Sequence, residues 1–161
     1  MIFRAKPITL TKKYYYSLGN EYAARTGGYD ITYSYRGTTT LAKNAESMVI
    51  TAYESNNAIG YCCNLIAIDV TNISTIYIDW EATIRSSKDG VNFGVAAANT
   101  NNSFLKSVGS TAASFLRTVT SLDVSSVSGN VYLKIHVANS TESSAGDCVV
   151  TVYQIYGEKA A

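Results

Sequence analysis

Ile68-Asp69-Val70-Thr71-Asn72-Ile73-Ser74 and Leu122-Asp123-Val124-Ser125-Ser126-Val127-Ser128 are two copies of one pattern. Each reads apolar residue, Asp, Val, Thr or Ser, a free position, Ile or Val, then Ser. Each also runs into a strictly alternating stretch, Tyr77-Ile78-Asp79-Trp80 in the first case and Tyr132-Leu133-Lys134-Ile135 in the second. Side-chain oxygens of Asp and Thr or Ser accept hydrogen bonds from backbone amides a few residues on, so a short turn forms without orphaned donors. Asp69, Thr71, Asp123 and Ser125 are therefore expected as structural corners, with the enclosed valine plugging the mouth of a core. A strand, a capped corner and a second strand is how a β-sandwich passes its chain from one sheet to the other. The pattern occurs twice and far apart, which excludes a solenoid repeat and points to equivalent crossovers.

Working outward, alternation with period two dominates and helical periodicity is nearly absent. Ile76, Ile78, Trp80, Ala82 and Ile84 form an inward set, leaving Tyr77, Asp79, Glu81, Thr83 and Arg85 outward. Lys88-Asp89-Gly90 then reads as a hairpin turn into Val91, Phe93, Val95 and Ala97. Val131, Leu133, Ile135 and Val137 repeat the alternation. Further strands are expected near 13–17, 21–25, 29–35, 47–54, 59–68, 115–121 and 149–157. Breaks fall at Gly19-Asn20, Gly27-Gly28, Arg36-Gly37, Asn56-Asn57 and the polar stretches 99–103 and 139–147. About ten strands without covering helices imply an all-β fold, a two-layer antiparallel β-sandwich of jelly-roll-like type. Residues 1–12 read as an N-terminal arm suited to assembly contacts, and 13–161 as a single β-sandwich domain.

The 161 residues fit one domain large enough to hold itself together without disulfides. Charged residues make up 16% and nearly cancel to a net charge of +1, which removes the electrostatic footprint of a nucleic-acid binder or a polybasic membrane patch. No apolar run is long enough for a spanning helix. The start, Met1-Ile2-Phe3-Arg4-Ala5-Lys6-Pro7, lacks a signal-peptide pattern, so a soluble chain that is not exported is expected. Cys62 and Cys63 are adjacent and would point to opposite faces of a strand, while Cys148 is distant. Buried free thiols are expected rather than a metal site.

Chemistry is thin. Asp79 and Glu81 share an outward face and could flank a glycosidic bond. Arg85 on the same face, with Lys134 and His136 on the equivalent strand, makes a solvated charge ladder the better account. His136 is the single histidine, expected among exposed residues with no nucleophile near it in sequence, so no catalytic triad and no enzyme is expected. Asp89, Gly90, Gly146 and Asp147 carry oxygens of the kind that hold calcium in some sandwich loops, without the dense acids of a strong site. No cofactor is therefore expected, a structural calcium being the alternative.

Tyrosine is over-represented at 13, against four Phe and one Trp. In Lys12-Lys13-Tyr14-Tyr15-Tyr16, alternation places Tyr14 and Tyr16 on one face and Tyr15 on the other. Tyr22, Tyr29, Tyr33 and Tyr35 add to the surplus. Tyr14, Tyr16, Tyr22, Tyr29, Tyr33 and Tyr35 are candidate ligand or interface residues, with three readings open: cover for sheet edges, an oligomer interface, or a platform on which sugar rings stack.

The order Tyr16-Ser17-Leu18-Gly19-Asn20-Glu21, Thr26-Gly27-Gly28-Tyr29, Ile68-Asp69-Val70-Thr71-Asn72-Ile73-Ser74 with Asp79-Trp80, and Ser128-Gly129 resembles small β-sandwich virion domains of phages and prophages of Gram-positive bacteria. In those a Gly-Asn-Glu turn, a Thr-Gly-Gly-Trp corner and an Ile-Asp-Leu-Thr-Asn crossover recur; here Tyr29 and Val70 depart from the pattern. The likeness covers roughly 14–157 and its motifs are corners, not catalytic residues. It implies a non-enzymatic tail-fibre, baseplate or capsid-surface protein, assembled in the host cytoplasm and carried on the virion. It also implies a homo-oligomer, trimer favoured, among other virion proteins, with a face for host-surface glycan. The alternative is a free-standing carbohydrate-binding module.

Overall fold

A computed structural model describes residues 10–17, 21–53, 58–85, 89–100, 103–139 and 146–160. Two antiparallel sheets face one another. The first contains β1 (Leu10–Ser17), β3 (Thr39–Lys43), β4 (Met48–Ala52), β7 (Ile73–Thr83), β10 (Phe115–Asp123) and β12 (Cys148–Ala160). Its order is β10-β7-β12-β4-β3, with β1 also paired to the long β12. The second contains β2 (Tyr29–Tyr35), β5 (Ile59–Asn64), β6 (Ile68–Asp69), β8 (Gly90–Ala96), β9 (Phe104–Ser107) and β11 (Asn130–Ala138). It runs β2-β5-β11-β8-β9, with β6 also on β11. This is the all-β sandwich expected from the alternation.

The core is the inward set of both sheets. Ile76, Ile78, Trp80, Val150, Val152 and Ile155 of the first meet Cys62, Val91, Phe93, Val95, Leu133 and Ile135 of the second, all buried. Each such side chain contributes roughly 1.5–3 kcal/mol on leaving water. The Trp80 ring is T-shaped to Phe93 at 6.3 Å between centroids and packs on Phe115 at 5.0 Å. Its indole N–H donates to Thr120 Oγ1 at 2.9 Å, which removes the cost of burying that donor.

The repeated corners join the sheets. The chain passes from β6 in the second sheet to β7 in the first, and from β10 in the first to β11 in the second. Asp69 Oδ1 accepts from the Thr71 amide at 2.8 Å, and Asp123 Oδ1 from the Ser125 amide at 2.9 Å and hydroxyl at 2.6 Å. The corners also lie side by side: the Val70 amide donates to the Gly129 carbonyl, the Gly129 amide to Thr71 Oγ1, and the Val124 amide to the Ser74 carbonyl. Gly129 holds φ +81°, a conformation that favours glycine, and Val70 and Val124 are fully buried.

Four expectations are corrected. Tyr22 and residues 23–26 form a turn and the helix α1 (Ala23–Thr26) instead of a strand, because alanine favours helix and Gly27 at φ +69° closes it. β7 and β8 are not a hairpin. β7 pairs β10 and β12, whereas β8 pairs β11 and β9, so the connection crosses between sheets and Lys88 lies outside the described residues. Every residue of β8 is buried, the signature of a central strand whose pairing alternation cannot reveal. The arm boundary at residue 12 falls inside β1, since Leu10, Thr11 and Lys12 pair with Ala160, Lys159 and Glu158; residues 1–9 lie outside the described residues. Finally, a bulge between Tyr14 and Tyr16 breaks the strict alternation and sends both Tyr15 and Tyr16 inward.

Candidate functional site

The six candidate tyrosines divide three ways. Tyr16 and Tyr29 are buried and meet edge-on at 5.6 Å, so they are core residues and are corrected as ligand candidates. Tyr14 and Tyr22 stand on the outer face of the first sheet. Tyr33 and Tyr35 stand on the outer face of the second.

The second-sheet face is built row by row from strand register. Tyr33 on β2 is opposite Tyr61 on β5, Tyr61 is opposite His136 on β11, and His136 is opposite Asn92 on β8. Neighbouring positions on these strands, Cys62, Val91, Phe93 and Ile135, fill the core, so this row points away from it. Tyr33 stacks on Tyr61 at 5.1 Å and on Tyr35 at 6.4 Å, and Tyr61 meets His136 at 5.2 Å. Tyr35, 44% exposed, ends the row with the Arg36 guanidinium 5.0 Å from its ring. The sheet is five strands wide here, roughly 19 Å at about 4.8 Å per strand.

Polar groups line the far half. Asn92 Nδ2 donates to Ser107 Oγ at 3.2 Å, while Asn92 Oδ1 is buried without a partner among the described residues. Asn92 is only 9% exposed, so its side chain closes the far end of the row as a polar wall. Below the row, Lys134 is 1% exposed, its Nζ 4.0 Å from the Tyr61 ring and 4.9 Å from that of Phe104. Gly94 makes this enclosure: a Cβ there would strike the Lys106 carbonyl and the Phe104 ring. Burial lowers the Lys134 ammonium below the usual lysine range. Burial, and next the Lys134 charge, bring the His136 imidazole down to about 4, so it is neutral at physiological pH and able to donate and accept. The exposed placement expected for His136 is thereby corrected to a half-buried one.

The first-sheet face differs. Tyr22, Tyr14, Tyr156 and Tyr77 form a row with spacings of 5.7, 5.6 and 5.0 Å. Tyr77 Oη donates to Glu158 Oε2 at 3.0 Å and Lys12 Nζ lies 4.6 Å from the Tyr156 ring. Asp79 is held by Arg117 through two hydrogen bonds of 3.0 and 2.8 Å. Arg117 stacks at 3.8 Å on Tyr153, whose hydroxyl donates to Glu81 Oε1 at 3.0 Å. The charge ladder expected with Lys134 and His136 is corrected, because those residues belong to the other sheet; Arg117 on β10 takes that role.

The three cysteines are free and buried. Burial raises all three thiols, Cys148 to about 12, so they stay protonated. Asp89, Gly90, Gly146 and Asp147 lie at the starts of β8 and β12, and among the described residues no three His, Cys, Asp or Glu side chains gather to hold a metal.

Comparison of the sequence with family models and with curated proteins returns no match. Solved structures do match. CBM29_1, a family 29 carbohydrate-binding module from Piromyces equi, aligns over 93% of this chain and 91% of its own, with a TM-score of 0.50 and 20% identity. TmCBM27, a carbohydrate-binding module studied for specific mannan recognition, aligns over 97% and 100%, with a TM-score of 0.52 and 9% identity. What is shared is the two-layer β-sandwich.

Sequence reasoning had named Tyr33 and Tyr35 but missed Tyr61, Asn92, Phe104 and Ser107 as members of the site. Tyr61 was recoverable in principle, since it shares an outward parity with Cys63 next to an inward Cys62. Asn92 and Ser107 had no such signal, because their strands' partners were not legible.

Proposed function

We propose that this chain is a non-catalytic carbohydrate-binding module whose ligand lies across the outer face of the second sheet. The observation that carries it is the continuous row Tyr35, Tyr33, Tyr61, His136, Asn92, in which stacked aromatic rings lead to polar side chains on one outer face. A pyranose has an apolar C–H face that packs on aromatic rings and a rim of hydroxyls that needs hydrogen-bond partners, and this row offers both. The architecture shared with two carbohydrate-binding modules supports the reading. Asp79 and Glu81 support the non-catalytic part, because both are engaged by Arg117 and Tyr153 on the opposite face.

Calorimetric titration with soluble mannan, xylan and β-glucan tests this. Saturable binding to at least one is expected, with Tyr61→Ala weakening it by roughly thirtyfold, the loss of about 2 kcal/mol typical of an aromatic anchor. Tyr156→Ala, on the first-sheet face, should bind as the wild type does. No binding to any glycan, or Tyr33→Ala and Tyr61→Ala proteins indistinguishable from wild type, would sink the proposal.

The virion role implied by the corner motifs concerns where such a module is displayed. As a proposal it makes the second-sheet face the part of a particle that meets host-surface glycan. Detection of the chain by mass spectrometry in purified particles tests it, and consistent absence from them rejects it.

A further inference from the structure

β10 ends the first sheet and, among the described residues, pairs only with β7. It is nine residues long with a bulge between Phe115 and Thr118, and past that bulge its free side carries backbone donors and acceptors of the kind another strand can use. Leu116 is 89% exposed and Val119 52%, where edge strands commonly carry charge or proline. A cavity of about 200 Å³ bounded by Trp80, Phe115, Thr118 and Thr120 opens beside the strand.

We infer that β10 is a self-association edge, pairing antiparallel with β10 of a second copy about a twofold axis through Val119. The occupant follows from the sequence of the strand, Phe115-Leu116-Arg117-Thr118-Val119-Thr120-Ser121-Leu122-Asp123. Centred on Val119, Thr118 is opposite the partner's Thr120, and Arg117, within the bulge, lies nearest the partner's Ser121. No like charges meet. Arg117, which also holds Asp79, lies diagonal to the partner's Asp123, an attractive arrangement that symmetry repeats. Val119 meets its own copy across the axis, which takes that exposed apolar residue out of water. An antiparallel pair is isologous and closes at two chains, so this edge makes a dimer and not the trimer implied by the virion resemblance.

The twofold axis is normal to the sheet. Both second-sheet faces therefore look the same way. If the carbohydrate reading holds, on which this consequence rests, a dimer engages a glycan-coated surface through two sites at once.

Light scattering after size exclusion, over a range of concentrations, tests the dimer without any glycan. The wild type should run as a dimer at high concentration. Val119→Lys, which opposes like charges on the axis, and Leu116→Asp should each raise the dissociation constant by roughly a hundredfold or more. Both positions are exposed, and circular dichroism confirms that each variant is folded. A wild type that stays monomeric throughout, a trimer, or two folded variants that dimerise like the wild type would each overturn the inference. A dimer that binds no polysaccharide would refute the carbohydrate reading and leave the edge pairing standing.

Discussion

The two outer faces of this sandwich are both rich in tyrosine, yet they differ in how their polar atoms are used. On the first sheet the groups answer one another: Tyr77 with Glu158, Tyr153 with Glu81, and Asp79 with Arg117. On the second sheet the rings stack on one another, Tyr35 on Tyr33 and Tyr33 on Tyr61, and lead to His136 and Asn92 above a lysine enclosed by two rings. A tyrosine count thus says little about binding. A face whose hydroxyls and charges are already paired with one another has less to offer a sugar than a face of stacked rings.

The comparison can be broken or sharpened by separating stability from binding. The largest expected effect lies beneath both faces. Trp80→Ala should cost roughly 3–5 kcal/mol in chemical denaturation, through the cavity left against Phe93 and Phe115. A cost below about 1 kcal/mol would mean that the two sheets are not sealed there.

Next comes pH. His136 is lowered to about 4 in the folded chain against about 6.5 when unfolded, so the unfolded state binds the proton first. Its contribution is complete above pH 6.5 and is lost as pH falls towards 4, by up to about 3 kcal/mol. His136→Gln should flatten that part of the stability profile. An unchanged profile would show that the second-sheet face is wetter than its packing indicates.

Arg117→Ala should cost less, about 0.5–1 kcal/mol, because the guanidinium is 55% exposed and solvent screens the pair. It should leave glycan titration untouched. A loss of binding would erase the distinction between the faces. The corners should show an effect of the same size: Asp69→Ala and Asp123→Ala should each lower the melting temperature by roughly 2–4 °C, about 1 kcal/mol, through the lost turn bonds. If both were silent in a thermal melt, the corners would owe their shape to the buried valines alone.

Much of the architecture was legible because strand faces have a period of two. Ile76, Ile78, Trp80, Ala82 and Ile84 declare one buried side whatever they pair with, and the Asp-to-Ser or Thr corners are local chemistry within a few residues. Local rules also failed in identifiable places. One extra residue between Tyr14 and Tyr16 reversed the facing of Tyr16, and two alanines before Gly27 turned an expected strand into a helical turn.

What the sequence by itself determined is the inward side of each strand and the places where the chain changes sheets, since sterics and hydrogen bonds between near neighbours set both. Only the tertiary structure decided which outward side chains stand together. Tyr33, Tyr61, His136 and Asn92 come from four strands, and their alignment depends on pairing and register between segments far apart in the chain. Those are fixed by packing the whole core at once and leave no mark in any one stretch.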